Sequence, residues 1–404
     1  MKFTLTLMLA LLLPVVADAK PIAANNKPGS AAGKPAALDN APINEPAGTQ
    51  SPRLSAQAYL LYDYTTRQVL LEQDSHQRSE PASLTKLMTA YITFSTLKQN
   101  KITLDEKVTP SVQAIRSKSA ESQMFLDHNR PVTIADLLRG LIIVSANDAA
   151  NVLAEKISGN QAAFVEAMNR EAQRLGMSDT HFANATGLPD PLHYSSAYDM
   201  ALLTAAILNA FPEHFPIYSQ REYEYNHIKH YNRNRLLWQD PFVDGMKTGH
   251  TESAGYSLVA TATRNNHRLI SVVIGTTSDN LRSSESQRLL NHGFQDFEIF
   301  HLYKKNQAVS NIRLWKGTEN SLKVGIREGL SLTLPKGQRA RLKATIETQQ
   351  TLLAPIGDGQ QVGILRLTLD GQPYLEFPLV ALEAVPLVNI FSRGIDSIRM
   401  IYSR

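Results

Sequence analysis

The hydrophobic rhythm of the chain changes several times, and each change predicts an element. An apolar run at residues 3–16 is followed by residues 20–50, rich in Pro, Ala, Asn and Gly, with no periodicity and almost no large apolar side chain. That second stretch cannot bury enough surface to offset its ordering entropy and reads as a flexible leader. Strand-like runs at 58–62 and 68–71 flank residues 63–67 and predict a β-hairpin. Pro81 cannot continue an incoming strand, and after it Leu84, Leu87, Met88 and Tyr91 recur at helical spacing. Helical spacing returns over 132–143, 147–157, 161–175 and 197–208, the first with an N-cap candidate at Thr133 and Asp136 three residues on. Strands follow at 256–263 and 268–275, joined by Asn265-Asn266, whose tolerance of left-handed φ suits a tight hairpin, and then a returning helix at 283–292. Strands at both ends with helices between them predict one α/β domain over 51–300, an antiparallel sheet packed by helices.

From about Tyr303 the pattern becomes short alternating runs at 312–315, 322–324, 330–334, 340–346, 361–369 and 374–379. Lys316-Gly317, Pro335-Lys336-Gly337, Asp358-Gly359 and Asp370-Gly371 punctuate them, which predicts a small all-β domain over 303–385. No catalytic cluster falls in it, and a spacer or docking role is the expectation. The last stretch, 387–404, carries Leu387, Phe391, Ile395, Ile398 and Tyr402 on one helical stripe, with Arg393, Asp396, Arg399 and Arg404 off it. This predicts an amphipathic helix at the surface of a membrane, weakened internally by Gly394, with packing on the β-domain as the alternative.

Composition and short motifs add to this picture. Lys2, the short apolar run and Ala17-Asp18-Ala19 have the make-up of an export signal over 1–19, cleaved after Ala19; the run falls short of a membrane span. The net charge of +4 is mild and its basic residues are scattered, so nucleic acid is not an expected partner. The absence of cysteine removes disulfides, thiolate metal sites and a cysteine nucleophile. No H-E-x-x-H pattern occurs, and neither a metal nor a cofactor is expected.

The candidate chemistry starts at Ser83 and Lys86, three apart and so on one helix face. A serine hydroxyl is a poor nucleophile until a base takes its proton, and a desolvated lysine amine can be that base. Alone the pair is unspecific. Two further stretches accompany it: Ser145-Ala146-Asn147 after the apolar run 137–144, and Lys247-Thr248-Gly249 before the strand at 256–262. S-x-x-K, S-x-N and K-T-G in that order form the signature set of penicillin-binding proteins and class A β-lactamases. With Asp63-Tyr64, Asn184, Gly187-Leu188, His193-Tyr194-Ser195 and 197–200, the chain from about Ala56 onward resembles the low-molecular-mass D-alanyl-D-alanine carboxypeptidases. These are serine peptidases that trim the terminal D-alanine from peptidoglycan stem peptides and bind β-lactam antibiotics.

The resemblance implies a role for each residue. Ser83 is the nucleophile, Lys86 its proton acceptor, Ser145 a proton relay to the leaving amine, and Asn147 a partner of substrate amide and Lys86. Lys247 supplies positive potential and poises Ser145, Thr248 and Thr251 hold the terminal carboxylate, and Gly249 permits close approach of substrate to the strand. The backbone N–H groups of Ser83 and His250 form the oxyanion hole, and Arg233 and Arg282 lie near the substrate carboxylate. His193 and Asp148 are expected to be scaffold residues, and Glu166 no counterpart of the class A deacylating glutamate. Ser-Ala-Asn in place of Ser-Asp-Asn also leans away from class A. The expected function is a serine D-alanyl-D-alanine carboxypeptidase at the periplasmic face of the bacterial inner membrane, acting in cell-wall remodelling and cell shape. A β-lactamase or DD-endopeptidase of the same fold, and a non-catalytic wall-binding protein, remain as alternatives.

Overall fold

The 58–73 hairpin forms as its pattern predicts, and it seeds the sheet on which the rest of the first unit is built. In this computed structural model the described residues are 52–116, 122–348 and 351–388, together with the backbone of Val15–Val16. They fall in two compact units that divide between Phe297 and Glu298. In the first, five antiparallel strands lie in the order Gln68–Gln73, Ala58–Asp63, His267–Thr276, Gly255–Arg264 and Val243–Thr251. Asn265 and Asn266 turn the last hairpin at φ 51° and 61°, the left-handed pair that a two-residue loop requires. Lys247-Thr248-Gly249 therefore lies on an edge strand, with one side left free of pairing in the sheet.

The helices take the two faces of this sheet. Asp279–Asp296 covers one, placing Leu289 and Leu290 against Leu61, Leu258 and Leu269. On the other, Lys86–Lys98 is buried on nearly every side, among them Leu87, Met88, Tyr91 and Phe94, as suits a helix at the centre of a domain. Asn147–Ser158, Gln161–Leu175 and Ala197–Ala210 pack around it.

Three features differ from the pattern-based expectation. The 132–143 stretch is not one helix: Val132–Thr133 is a short strand, Ile134–Arg139 is α-helical with Thr133 capping Asp136 N, and Gly140–Val144 widens into a π turn. The β-branched Ile142, Ile143 and Val144 crowd a regular helix, and the widened turn ends on Ser145 in the left-handed region at φ 65°. A hairpin of Glu222–Tyr225 and Ile228–Tyr231, turned at Asn226-His227, is an element not expected from the sequence, although Glu222-Tyr223-Glu224-Tyr225 alternates polar and aromatic residues. The strand Phe297–Tyr303, before the expected start of the β-domain, pairs with Leu330–Pro335.

The second unit is all-β. Leu342–Thr348, Gln361–Leu369, Gln372–Ala381, Ser321–Gly325, Ala308–Trp315 and Leu352–Leu353 follow one another in a sheet, which Val15–Val16 extends at the Leu342–Thr348 edge. Leu322, Val324, Leu365, Leu367 and Leu379 fill its core. Leu387 bridges Gly317, and Val388 N donates to Lys316 O, so the first residues of the proposed terminal helix are extended chain completing the β unit. Residues 389–404, the rest of that helix, and nearly all of the signal and leader segments lie outside the described residues. No helix among the described residues is long and apolar enough to cross a membrane.

Candidate active site

Ser83 sits in a 3₁₀ turn, Ala82–Thr85, which runs straight into the helix starting at Lys86. In a 3₁₀ turn residues three apart eclipse one another, which brings the Ser83 hydroxyl and the Lys86 amine together; Nζ lies 3.0 Å from Oγ. The turn is held in a costly shape. Ala82 has φ 46°, a conformation that persists only when its surroundings impose it. On one side Gly187, itself at φ +85°, lies so close that a Cβ there would stand 1.8 Å from the Ala82 carbonyl oxygen. On the other side a Cβ on Gly249 would stand 2.9 Å from the Pro81 oxygen. The open side of Gly249 thus faces the nucleophile turn, and the close approach expected toward substrate is an approach to residues 81–84.

Lys86 is fully buried. Its amine donates to Asn147 Oδ1 at 2.7 Å and to Thr186 O at 2.6 Å, in addition to the Ser83 contact. Thr186 was not anticipated as part of the site. Its carbonyl is aimed by Asn184, whose Oδ1 accepts from Thr186 N, Thr186 Oγ1 and Gly187 N at 3.1, 2.9 and 2.7 Å. Asn184 accepting from the backbone two and three residues on makes an Asx-type turn that ends at Gly187, so a turn here was detectable in the sequence, though its service to Lys86 was not.

The S-x-N and K-T-G stretches meet across the same space. Lys247 Nζ donates to Ser145 Oγ and to Thr248 O, both at 2.9 Å. Its amine is held well below its ordinary pKa, first by complete burial and then by the charges of Lys86, Arg233 and Arg282. The K-T-G strand is braced from behind by Asn234, whose Nδ2 donates to Gly245 O at 2.9 Å. Arg282 is buried, paired with Asp279, and donates to Gly249 O at 3.0 Å, so it supports the same strand. Arg233 lies close enough to weigh on Lys247, Arg282 and His250, while part of its side chain is exposed. His250 is exposed and stacks on Tyr256 with ring centroids 3.9 Å apart. The Thr251 hydroxyl lies 3.3 Å from Glu80 Oε2, to which it donates, and accepts from Ala254 N at 2.9 Å.

The residues read as scaffold take that part. Asp148 accepts from Met124 N and Leu126 N, both at 3.1 Å, and so fixes the loop beside Asn147. Glu166 is exposed on its helix and pairs with Arg170 at 3.6 Å. His193 is buried between Ala183 N, which donates to Nδ1 at 3.0 Å, and Thr85 Oγ1, 2.7 Å from Nε2. These contacts suit a neutral ring with its proton on Nε2, and burial lowers its pKa from 6.5 to about 4. A depressed histidine gives full stability above 6.5 and loses it as pH falls through about 4, here roughly 3 kcal/mol. Asp199, raised by burial from 3.8 to about 6, acts in the opposite sense, so only a variant isolates the histidine. The stability gap between wild type and His193→Gln, measured by urea unfolding, is expected to narrow as pH falls from 6.5 to 4. A gap independent of pH would mean that His193 titrates normally.

A serine hydroxyl on a buried lysine, a second serine on a second buried lysine, and an edge strand between them define a serine acyl-transfer site on a sheet-and-helix scaffold. Residues 45–278 match the D-alanyl-D-alanine carboxypeptidase family and residues 297–387 the penicillin-binding protein 5 C-terminal domain. The chain belongs to this family: it is a serine-type D-alanyl-D-alanine carboxypeptidase resembling penicillin-binding protein 5. It is 44% identical over 350 residues to the D-alanyl-D-alanine carboxypeptidase DacA of Haemophilus influenzae, covering 86% of this chain and 89% of that one. The crystal structure of penicillin-binding protein 5 from the same organism superposes with a TM-score of 0.80 at 44% identity, covering 84% of this chain and all of that one. Penicillin-binding protein D2 from Listeria monocytogenes in its cefotaxime-bound form superposes with a TM-score of 0.57 at 30% identity, covering 61% of this chain and 100% of that chain.

Proposed function

We propose that Ser83 is the nucleophile of this carboxypeptidase and that it carries the acyl group of the stem peptide after the terminal D-alanine leaves. The observation that carries this reading is the triple arrangement on Lys86. Once neutral, the amine keeps two hydrogens for Asn147 Oδ1 and Thr186 O and turns its lone pair to the Ser83 proton. Ser83 Oγ attacks the carbonyl carbon of the penultimate D-alanine as its proton passes to Lys86. The oxyanion is received by the backbone N–H groups of Ser83 and His250, each such donor being worth roughly 3–4 kcal/mol. Ser145, held by Lys247, gives its proton to the departing amine nitrogen and recovers one from the Lys86 ammonium, which is thereby neutral again. The C–N bond breaks and D-alanine leaves. Water then attacks the ester as Lys86, neutral again, takes its proton and returns one to Ser83 Oγ when the ester C–O bond breaks, which restores the serine.

The terminal carboxylate belongs beside Thr248, within the field of Lys247, Arg233 and Arg282. These cations repel one another in the free enzyme and depress the Lys247 amine. An arriving carboxylate relieves that repulsion, which favours an anionic chain end over an internal amide. Thr251 reaches that carboxylate only by releasing Glu80, so Thr248 is the hydroxyl that serves it. β-Lactams mimic the D-alanyl-D-alanine amide and its carboxylate, and a cephalosporin is bound by the related Listeria protein.

Two measurements test the assignment. Mass spectrometry of the protein with diacetyl-lysyl-D-alanyl-D-alanine is expected to show loss of one alanine. Intact mass with penicillin is expected to show one adduct, mapped to the peptide holding Ser83 and absent in Ser83→Ala. A label on another serine overturns the assignment.

The reading extends to location. Residues 1–19 export the chain, and the arginines and apolar stripe within 387–404 attach the mature enzyme peripherally to the outer surface of the inner membrane. Stem peptides of nascent wall are found there.

A further inference from the structure

Glu80 has no part in the chemistry above, yet its carboxylate joins the two segments that carry the oxyanion donors. Glu80 Oε2 accepts from Ser253 Oγ at 2.7 Å and from Thr251 Oγ1 at 3.3 Å. Thr251 and Ser253 in turn lie 3.3 Å apart through their hydroxyls, and Thr251 closes the turn by accepting from Ala254 N. One carboxylate thus gathers the whole end of the K-T-G strand.

The sequence positions give this contact its meaning. Glu80 stands three residues before Ser83, and Thr251 stands one residue after His250. The N–H groups of Ser83 and His250 come from separate segments, and no covalent feature fixes the distance between them. Behind Glu80, Ser79 is tied by two backbone hydrogen bonds to Ser195, at 2.8 and 2.9 Å, so the anchor of the carboxylate is itself fixed. Residues 80–83 are consequently held on three sides: by Ser195 at the start, by Gly187 over Ala82, and by Gly249, Thr251 and Ser253 from the strand.

We infer that Glu80 is a positioning residue that clasps the strand end to the nucleophile turn and so sets the spacing of the two oxyanion donors. This rests on the proposed oxyanion hole of Ser83 and His250. The requirement is for an acceptor at that place. The glutamine amide oxygen meets it as well as a carboxylate, whereas a methyl group does not.

The clasp acts on the transition state and leaves ground-state binding alone, since the carboxylate-holding groups, Thr248 and the cations, do not depend on it. Glu80→Ala is expected to lower kcat on diacetyl-lysyl-D-alanyl-D-alanine about tenfold, with KM changed by less than about twofold. Penicillin acylation is expected to fall in parallel. Glu80→Gln is expected to recover most of the rate, with the thermal midpoints of both variants measured alongside. A purely structural role would lower the midpoint of Glu80→Ala and leave kcat in place, and that result overturns the clasp. So does a Glu80→Gln variant as slow as Glu80→Ala, because charge rather than acceptor geometry would then be required. Ser83→Ala serves as the control that separates the two readings. If it is still acylated, the nucleophile assignment fails; if it is inert and Glu80→Ala matches wild type, the clasp alone fails.

Discussion

Lys86→Ala and Lys86→Arg are both expected to fold and both to lose acylation of Ser83 by about 10³-fold or more. Lys86 Nζ reaches Ser83 Oγ, Asn147 Oδ1 and Thr186 O, so the amine is positioned by two fixed acceptors before substrate arrives. Alanine removes the proton acceptor and leaves two buried oxygens without their amine, each costing about 1–3 kcal/mol of stability. Arginine keeps the positive charge, which distinguishes the two explanations of the lysine. If Lys86 acted only by its field, guanidinium would serve; because guanidinium stays protonated, it cannot take the serine proton. The measurement is the rate of penicillin adduct formation by intact mass, with near-ultraviolet circular dichroism as a check on the fold. Near-native acylation of Lys86→Arg would remove Lys86 as the base and shift that task to Ser145 or water.

The residues of this site were legible in the sequence because each motif is local. Ser83 and Lys86 lie one helical turn apart, Ser145 and Asn147 two residues apart, and Lys247-Thr248-Gly249 is contiguous. The structure brings all of them together, with Lys86 on Asn147 and Lys247 on Ser145. What the sequence could not convey was backbone placement. The Thr186 carbonyl has no side-chain signature, and its approach to Lys86 spans 100 residues of separation. The engagement of Thr251 by Glu80 spans 171 residues and is invisible to any local pattern. The closeness of Gly249 to the nucleophile turn is likewise a long-range contact that no local pattern carries.

The fold divides in the same way. Gln161–Leu175 was expected over those same residues, and the His267–Thr276 strand within one residue at each end, because a single periodicity runs through each. The 132–143 helix is not observed as one element because its apolar residues continue at helical spacing while the backbone widens at Gly140. Hydrophobic spacing alone does not separate α from π geometry. That widening is functional in its consequence: it delivers Ser145 at φ 65°, with its hydroxyl on Lys247. The small Glu222–Tyr231 hairpin went unpredicted for another reason: its first strand alternates, with Tyr223 and Tyr225 half-buried and Glu222 and Glu224 exposed, but strands of four residues sit at the lower limit of a readable alternation.

Truncation after Val388 is expected to release an active enzyme from membranes. The cut is placed there because Leu387 and Val388 pair with Gly317 and Lys316 and so complete the β unit. Of the apolar stripe this leaves Phe391, Ile395, Ile398 and Tyr402 to enter a lipid surface. Fully buried, each large side chain contributes about 1.5–3 kcal/mol, reduced by partial insertion and by the cost of ordering a helix that contains Gly394. Arg393, Arg399 and Arg404 add about 1 kcal/mol each near an anionic surface. The two contributions respond differently to salt: the arginine share is screened, and the apolar share is not. The full mature chain is therefore expected to pellet with anionic vesicles and to be partly released at high salt, while the chain ending at Val388 stays in solution. Both are expected to cleave diacetyl-lysyl-D-alanyl-D-alanine at similar rates, because no residue assigned to the site lies beyond Arg282. Equal pelleting of the two chains would mean that the stripe packs on the protein, and loss of activity in the shorter chain would mean that residues 389–404 support the fold.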